Sequence, residues 1–535
     1  MKTSNFTGTT TLFSLFLRRD RFLLPIWVFL PVLLVLIVAA TFTAMASQGM
    51  QIVLTEFNKD PLISALLGPV MSFDLSGAIV WRGTSQLALA LGIGSLLTVI
   101  RHTRTDEETG RSELIRAYAV GQYASLTAAL MLTGVGNLAA GLLIALTIIR
   151  LGGAVDGSIL FGATMSAIGC FFGGLGAFAV QLRENSGTAR GIGVAVLGVA
   201  MVMAILNNFG GGYTLLSWIT PMAWQRVIQP FAGNHGWFLL YCAAFAAVPT
   251  IIAYVLSARR DLGAGVLSAS SGPPEAALHL SSPSALAWRL HKRSLVGWLA
   301  GTVSYIGVFA AISPGLSNTG GMSSWLSNLG GTNWSDEVGL GYVFISVSIY
   351  LMSLFVAVYA MTIVLRLKKE ENEGRAELLV DKQVSRIRWM SSHLMVATLN
   401  SAVLLVATGI TGGLVYGVVT GDLSGQFWHI FMMSVSKIPP VWVLMGVTAM
   451  LYGLWPRATS LGWVFWLSFS VLEFAWEAGV IDWSLMRFSP FSYAHYTINV
   501  SSIPLVPLFW LLCLSVILAG IGLLGFRNRD VLTKA

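Results

Sequence analysis

Charge is scarce in this chain: only 10% of its 535 residues are Asp, Glu, Lys or Arg, while 55% are hydrophobic. An ordinary soluble domain carries about 25% charged residues, so water is excluded as the main solvent. Cysteine is nearly missing as well. Cys170, Cys242 and Cys513 each sit in an apolar run with no Cys or His at ligand spacing, which excludes a disulfide framework and a metal site. The seven histidines are scattered, and neither HExxH nor GxSxG occurs. No Gly is followed by Lys, so the phosphate-cradling GxxxxGK[ST] loop is absent. No polar stretch is long enough for a nucleotide-binding domain either. No catalytic residue is assigned, and the chain cannot hydrolyse ATP alone.

What the sequence does have is one apolar run after another, with a mean hydropathy of +0.74. A bilayer core about 30 Å thick needs about 20 apolar residues per helical span. Runs of that kind fall at 22–44, 78–100, 124–149, 158–181, 192–208, 236–257, 295–313, 340–365, 394–419, 425–452, 458–475 and 505–526. The expected fold is therefore an all-α polytopic membrane protein of about 12 transmembrane helices.

Basic residues are retained on the cytoplasmic side. With both termini inside, all of the 32 Lys and Arg except Lys59, Arg82, Arg150, Arg226, Lys437 and Arg487 fall on cytoplasmic segments. The net charge of +8 thus reports orientation and anionic headgroups, and is no argument for nucleic acid. Arg18 and Arg19 before an apolar run imitate a twin-arginine signal. The run is too long for the h-region of about 7–15 residues that such a signal carries.

The chain also repeats itself. Asp106-Glu107-Glu108-Thr109-Gly110-Arg111-Ser112-Glu113-Leu114 returns as Glu370-Glu371-Asn372-Glu373-Gly374-Arg375-Ala376-Glu377-Leu378, each copy following the second span of a half. Ahead of each half's first span comes an amphipathic stretch, with Leu12, Phe16, Arg18 and Arg19 answering Leu286, Leu290, Lys292 and Arg293. Thr220-Pro221 answers Ser489-Pro490 before the last span. Arg260-Asp261-Leu262 answers Arg529-Asp530-Val531 after it. Six spans return a chain to its starting side, so the copies are a parallel repeat about an axis along the membrane normal. The reading is a first half at 1–262, a Gly, Ser and Pro-rich cytoplasmic linker at 263–284, and a second half at 285–535.

Several segments carry candidate mechanism. Glu107 and Arg111, like Glu371 and Arg375, stand at i,i+4 in the favourable order, and a mid-helix Gly costs roughly 1 kcal/mol against Ala. Its recurrence as Gly110 and Gly374 points to a bend or a close backbone contact. The stretches at 9–21 and 284–294 suit the inner leaflet, as anchors or as levers. Outside, 207–230 and 476–493 are rich in Gly, Pro and aromatic residues, which fits either re-entrant helices or an aromatic belt. Ionisable groups inside spans default to functional hypotheses. Lys437 beside Pro439-Pro440 pairs with Glu473, neutralises itself or snorkels at a helix break; Glu473 and Glu477 flank Trp476. With Gln86, Asn207 and Asn208 these are the candidate substrate-pathway residues.

This order of landmarks resembles the permeases of ABC exporters of the type-2 export class, and within it the duplicated "exporter of polyketide antibiotics" permeases of Gram-positive bacteria. The resemblance rests on the two acidic loops, on Leu216-Ser217-Trp218-Ile219-Thr220-Pro221 and Phe488-Ser489-Pro490-Phe491, and on the segment from Val441 through Pro456-Arg457-Ala458. It covers essentially the whole chain. Thr109, where an acid is common, and Lys437 depart from the pattern.

The resemblance implies that the acidic loops are coupling helices seated in grooves of an ATPase. Glu107, Glu108, Gly110, Arg111, Glu113 and Leu114, with Glu371, Glu373, Gly374, Arg375, Glu377 and Leu378, would transmit its motion, with Arg18, Arg19, Lys292 and Arg293 on the interfacial helices beside them. Two copies of a separate ABC ATPase subunit would bind ATP and Mg, and this chain would hold no cofactor. Hydrophobic drug-like or antibiotic molecules would leave by alternating access between the halves, along the second, fifth, eighth and eleventh spans. A proton-coupled secondary transporter also has two parallel six-span halves and would titrate a group such as Glu473. A membrane enzyme acting on lipid carriers would need convergent outer acids, and Glu473, Glu477 and Asp482 have no counterpart set in the first half.

Overall fold

A computed structural model describes the chain from Ser4 to Arg529, apart from 46–48, 60–63, 65–66, 119, 210–213, 261–262, 268–279, 281, 315–339, 381–383, 478–482 and 495–504. Among the described residues every regular element is helical. The chain forms two compact units, Met1–Gly272 and Pro273–Ala535, which divide inside the Gly, Ser and Pro-rich stretch.

The first unit opens with α1 (Thr9–Arg19), α2 (Leu23–Met45) and α3 (Met50–Lys59). The long helix α4 (Leu75–Ile100) runs on through a π-helical turn (Arg101–Thr105) and a single α turn (Asp106–Glu108) into α5 (Arg111–Arg116). Then come α6 (Ala124–Arg150), α7 (Val155–Leu182) and α8 (Ser186–Phe209), the short α9 (Leu216–Ile219) and α10 (Trp224–Ile228), and α11 (Phe238–Ala258). The α6, α7 pair approaches closely because glycine removes side chains at the crossing. A Cβ on Gly141 would stand 2.4 Å from the Gly162 carbonyl oxygen, and one on Gly162 would stand 2.3 Å from that of Gly141. Small residues are how membrane helices gain dispersion contact where lipid removes the hydrophobic drive.

The second unit contains α12 (Pro283–Ile312), α13 (Leu340–Asn372), α14 (Arg375–Val380), α15 (Arg386–Thr420), α16 (Leu423–Val435), α17 (Ile438–Leu454), α18 (Gly462–Glu477), α19 (Trp483–Met486) and α20 (Leu505–Asn528). Its core runs along α13 through Tyr359, Met361, Val364 and Leu367, meeting Leu404 of α15, Leu444 and Tyr452 of α17, and Phe526 of α20. Gly453 and Gly522 give α17 and α20 their close crossing: a Cβ on Gly453 would meet the Gly522 carbonyl oxygen at 2.0 Å.

The all-α architecture is the one expected, and two details of it are corrected. Among the described residues 11 helices are long and apolar enough to cross a membrane, in keeping with an all-α polytopic fold of about 12 spans. The run at 458–475 opens with a 3-10 turn over Pro456–Leu461 and continues as α18, described over Gly462–Glu477. The interfacial stretches differ. α1 is a separate helix, but 284–294 is simply the start of the 30-residue α12. The tenth run, one span over Leu423–Leu454 in that count, is interrupted at Ser436 and Lys437, which separate α16 from α17.

Candidate functional site

Both acidic loops bend at their glycine. Gly110 has φ 70 and Gly374 φ 73, and a Cβ at either would meet nothing within 4 Å. The glycine therefore serves the left-handed backbone and not a close contact, since such a φ costs an L-residue roughly 1–2 kcal/mol. The bend corrects the expected ion pairs. Arg111 turns back to Asp106 at 3.5 Å and Arg375 to Glu370 at 2.6 Å, one position before the acids expected. Donating to Glu370 lifts the Arg375 guanidinium above its ordinary value.

Glu107 and Glu371 point inward, each to the arginine that ends its unit's last long helix. Arg260 reaches Glu107 through Nη2 to Oε1 at 2.6 Å and Nη1 to Oε2 at 2.9 Å, and Arg104 holds the same carboxylate. Arg529 reaches Glu371 through both Nη atoms at 2.8 Å. A residue near the end of α7 in one unit and of α17 in the other completes each clamp. Gln181 of α7 accepts from Arg260 Nε at 2.5 Å, and Tyr452 of α17 donates to Glu371 at 2.8 Å. Paired, bidentate geometry is what lets charges sit this deep. Sequence reading had Arg260 and Arg529 only as repeat landmarks; their partners lie 153 and 158 residues away.

The remaining residues divide by exposure. Arg111, Glu113, Glu373, Arg375 and Glu377 are exposed, as is Leu114 at 72% with Tyr118 beside it at 79%. Glu373 takes contacts from Lys369 and Arg375. Glu108 accepts from the backbone N–H and the hydroxyl of Ser186, both at 2.5 Å. The side chain of Leu378 lies outside the described residues.

The loop of the first unit is braced by α1. Leu12 and Phe16 pack on Ala124, Ala128, Ala129 and Leu132 of α6, so this face of α1 covers protein. Arg19 donates to both oxygens of Asp106 at 2.7 and 2.8 Å. Asp20 ends the helix facing His102 Nε2 at 2.7 Å and Arg101 Nη1 at 2.8 Å. Arg18 is exposed, as are Lys292 and Arg293 on α12.

The pathway candidates are not brought together within either unit. Gln86 is half-buried on α4. Asn207 is buried and accepts from the hydroxyls of Thr214 and Ser217 at 2.7 Å, while Asn208 beside it is half-buried. Lys437, at the helix break, donates to the Ala494 carbonyl with its Nζ 5.5 Å from the Tyr350 ring centroid. Glu473, Trp476 and Glu477 fall on α18, their side chains outside the described residues, as is Asp482.

One symmetric pair escaped sequence reading. Asn137 of α6 donates to Ser95 of α4 at 2.9 Å, and Asn400 of α15 donates to Tyr359 of α13 at 3.0 Å. Each is a buried amide in an apolar run, locking the same two helices of its repeat. The signal was there, since the repeat offset of the acidic loops brings Ser95 onto Tyr359.

The C-terminal-domain family of multidrug efflux system permease Rv1217c matches residues 280–527. Over 531 residues the chain is 35% identical to multidrug efflux system permease protein Rv1217c of Mycobacterium tuberculosis, covering 99% of this chain and 96% of that one.

Proposed function

This chain belongs to the family of multidrug efflux system permeases that includes Rv1217c, and we propose that it is the transmembrane subunit of an ATP-driven exporter of hydrophobic, drug-like molecules. Two ATPase subunits from a separate polypeptide dock on the two acidic loops, bind ATP and Mg, and drive two fused halves between inward-open and outward-open states. Both termini and both loops face the cytoplasm.

The observation that carries this reading is the duplicated clamp. Each loop fixes one acid to the arginine that ends its unit's last long helix and leaves a charged outer face, with Arg111 and Glu113 in one loop and Arg375 and Glu377 in the other. A solvated connection has no need of a rigid base under an exposed face. A docked lever does, because the partner's nucleotide state shifts the equilibrium only through unequal affinity for the two arrangements.

Co-expression with an ABC ATPase encoded beside this chain should yield a complex that survives purification. Glu113→Lys with Glu377→Lys should abolish drug efflux from cells while the protein still inserts. Normal efflux in that double variant would remove the loops from the mechanism. The buried Lys437 at an interrupted helix favours a second reading, a proton-coupled transporter. In that case efflux persists when the ATPase is inactivated and stops when the proton gradient is collapsed.

A further inference from the structure

The two acidic loops share a clamp but not a second attachment. In the first, Glu108 holds the opening of α8 with both oxygens, one on the Ser186 N–H and one on its hydroxyl, each at 2.5 Å. Three residues earlier, Thr105 in the π-helical turn accepts from Arg190 of α8 at 3.2 Å. The charge sits where the positive end of the α8 dipole favours it, and the two bonds flank the first turn of the helix. Any displacement of the loop therefore pulls on α8.

The second loop is built otherwise. Asn372 stands where the repeat places Glu108, and it is exposed. The corresponding helix, α18, is entered through the 3-10 turn Pro456–Leu461. No hydrogen bond among the described residues joins it to 370–377. Among the described residues the π-helical turn belongs to the first unit alone: α13 is α-helical through Asn372. A π turn is a local departure from the α ladder, and here it brings His102, Thr103 and Arg104 into the interior together.

We infer that the loops are inequivalent: the first passes motion directly to α8 through Glu108 as a positioning residue, while the second, among the described residues, is tied to its unit by the Glu371 clamp with Arg529 and Tyr452 and by Arg366 on Glu370, with no such bond to α18. This rests on the ATP-driven reading above. The ordered part of the stroke then enters through one half, and removing the charge at position 108 uncouples the machine where changes at position 372 do not.

The test compares Glu108→Gln, Ser186→Ala and Asn372→Ala in the full-length permease co-expressed with its ATPase, reading initial drug efflux, ATP hydrolysis by the purified complex and amide exchange across 186–190. Glu108→Gln should lower efflux about tenfold, leave hydrolysis within about twofold, and speed exchange at 186–190. Ser186→Ala, which removes one donor and no charge, should do the same in smaller degree and add little on top of Glu108→Gln. Asn372→Ala should leave all three unchanged. Equal losses from Glu108→Gln and Asn372→Ala, or normal efflux and exchange in Glu108→Gln, would overturn the inference. Efflux that persists in the unaltered permease without an active ATPase would instead overturn the reading on which it rests.

Discussion

The two units start from the same plan and end it differently at the helix that precedes the first span. In the first unit the chain stops at Asp20, whose backbone N–H closes on Phe16 and whose carboxylate is drawn to His102 and Arg101, so α1 turns onto α6. In the second unit Ser294 occupies the matching place, exposed and uncharged, and nothing interrupts α12. One carboxylate thus separates a loop braced by a folded-back helix from one whose Glu370 is held by Arg366, itself bonded to the Leu290 carbonyl of α12 at 3.3 Å. Duplication supplies matching anchors, and single polar residues decide how each copy uses them.

The clamp arginines test that comparison with the largest expected effect. Removing one partner of a buried ion pair costs about 3–5 kcal/mol. Arg529→Ala should approach that figure, because its guanidinium also lies 5.0 Å from the Tyr452 ring and 4.9 Å from Phe526. Arg260→Ala should cost less, because Arg104 still holds Glu107. Thermal unfolding in detergent ranks the two, and the reverse order would break the account of the clamps.

The loop glycines should behave alike. Gly110→Ala and Gly374→Ala each force a left-handed φ on a residue with a Cβ, at roughly 1–2 kcal/mol, with free space around both. Equal losses of stability would sharpen the claim that the bend is the shared element; a loss in only one would contradict it. The smallest effect belongs to the amides. Asn137→Ala removes the reciprocal contact with Ser95 and Asn400→Ala the bond to Tyr359, about 0.6–2 kcal/mol each, measurable as a small drop in unfolding temperature.

Much of this was legible in the sequence, for reasons that particular residues make plain. Long apolar runs are written locally, so α4, α6, α7 and α11 fall where hydropathy places them. The duplicated Gly-Arg pair announced a bend because no other residue so cheaply adopts φ 70 or 73. The failures have physical causes as well. The i,i+4 pairing of Glu107 with Arg111 presumed a continuous helix, which the glycine interrupts. The run at 425–452 reads as one apolar stretch, but Ser436 and Lys437 break it into α16 and α17 ahead of Pro439-Pro440. The partners of Glu107, Glu108 and Glu371 lie 153, 78 and 158 residues away, and no local pattern encodes such distances.

The central claim is tested most directly by placing single cysteines at Glu113→Cys and Glu377→Cys in a permease with Cys170, Cys242 and Cys513 replaced by serine. A membrane-impermeant maleimide should label neither in intact cells, should label both once membranes are opened, and should label both far less when the ATPase is bound. Labelling from outside intact cells, or labelling that the ATPase leaves unchanged, would contradict the account.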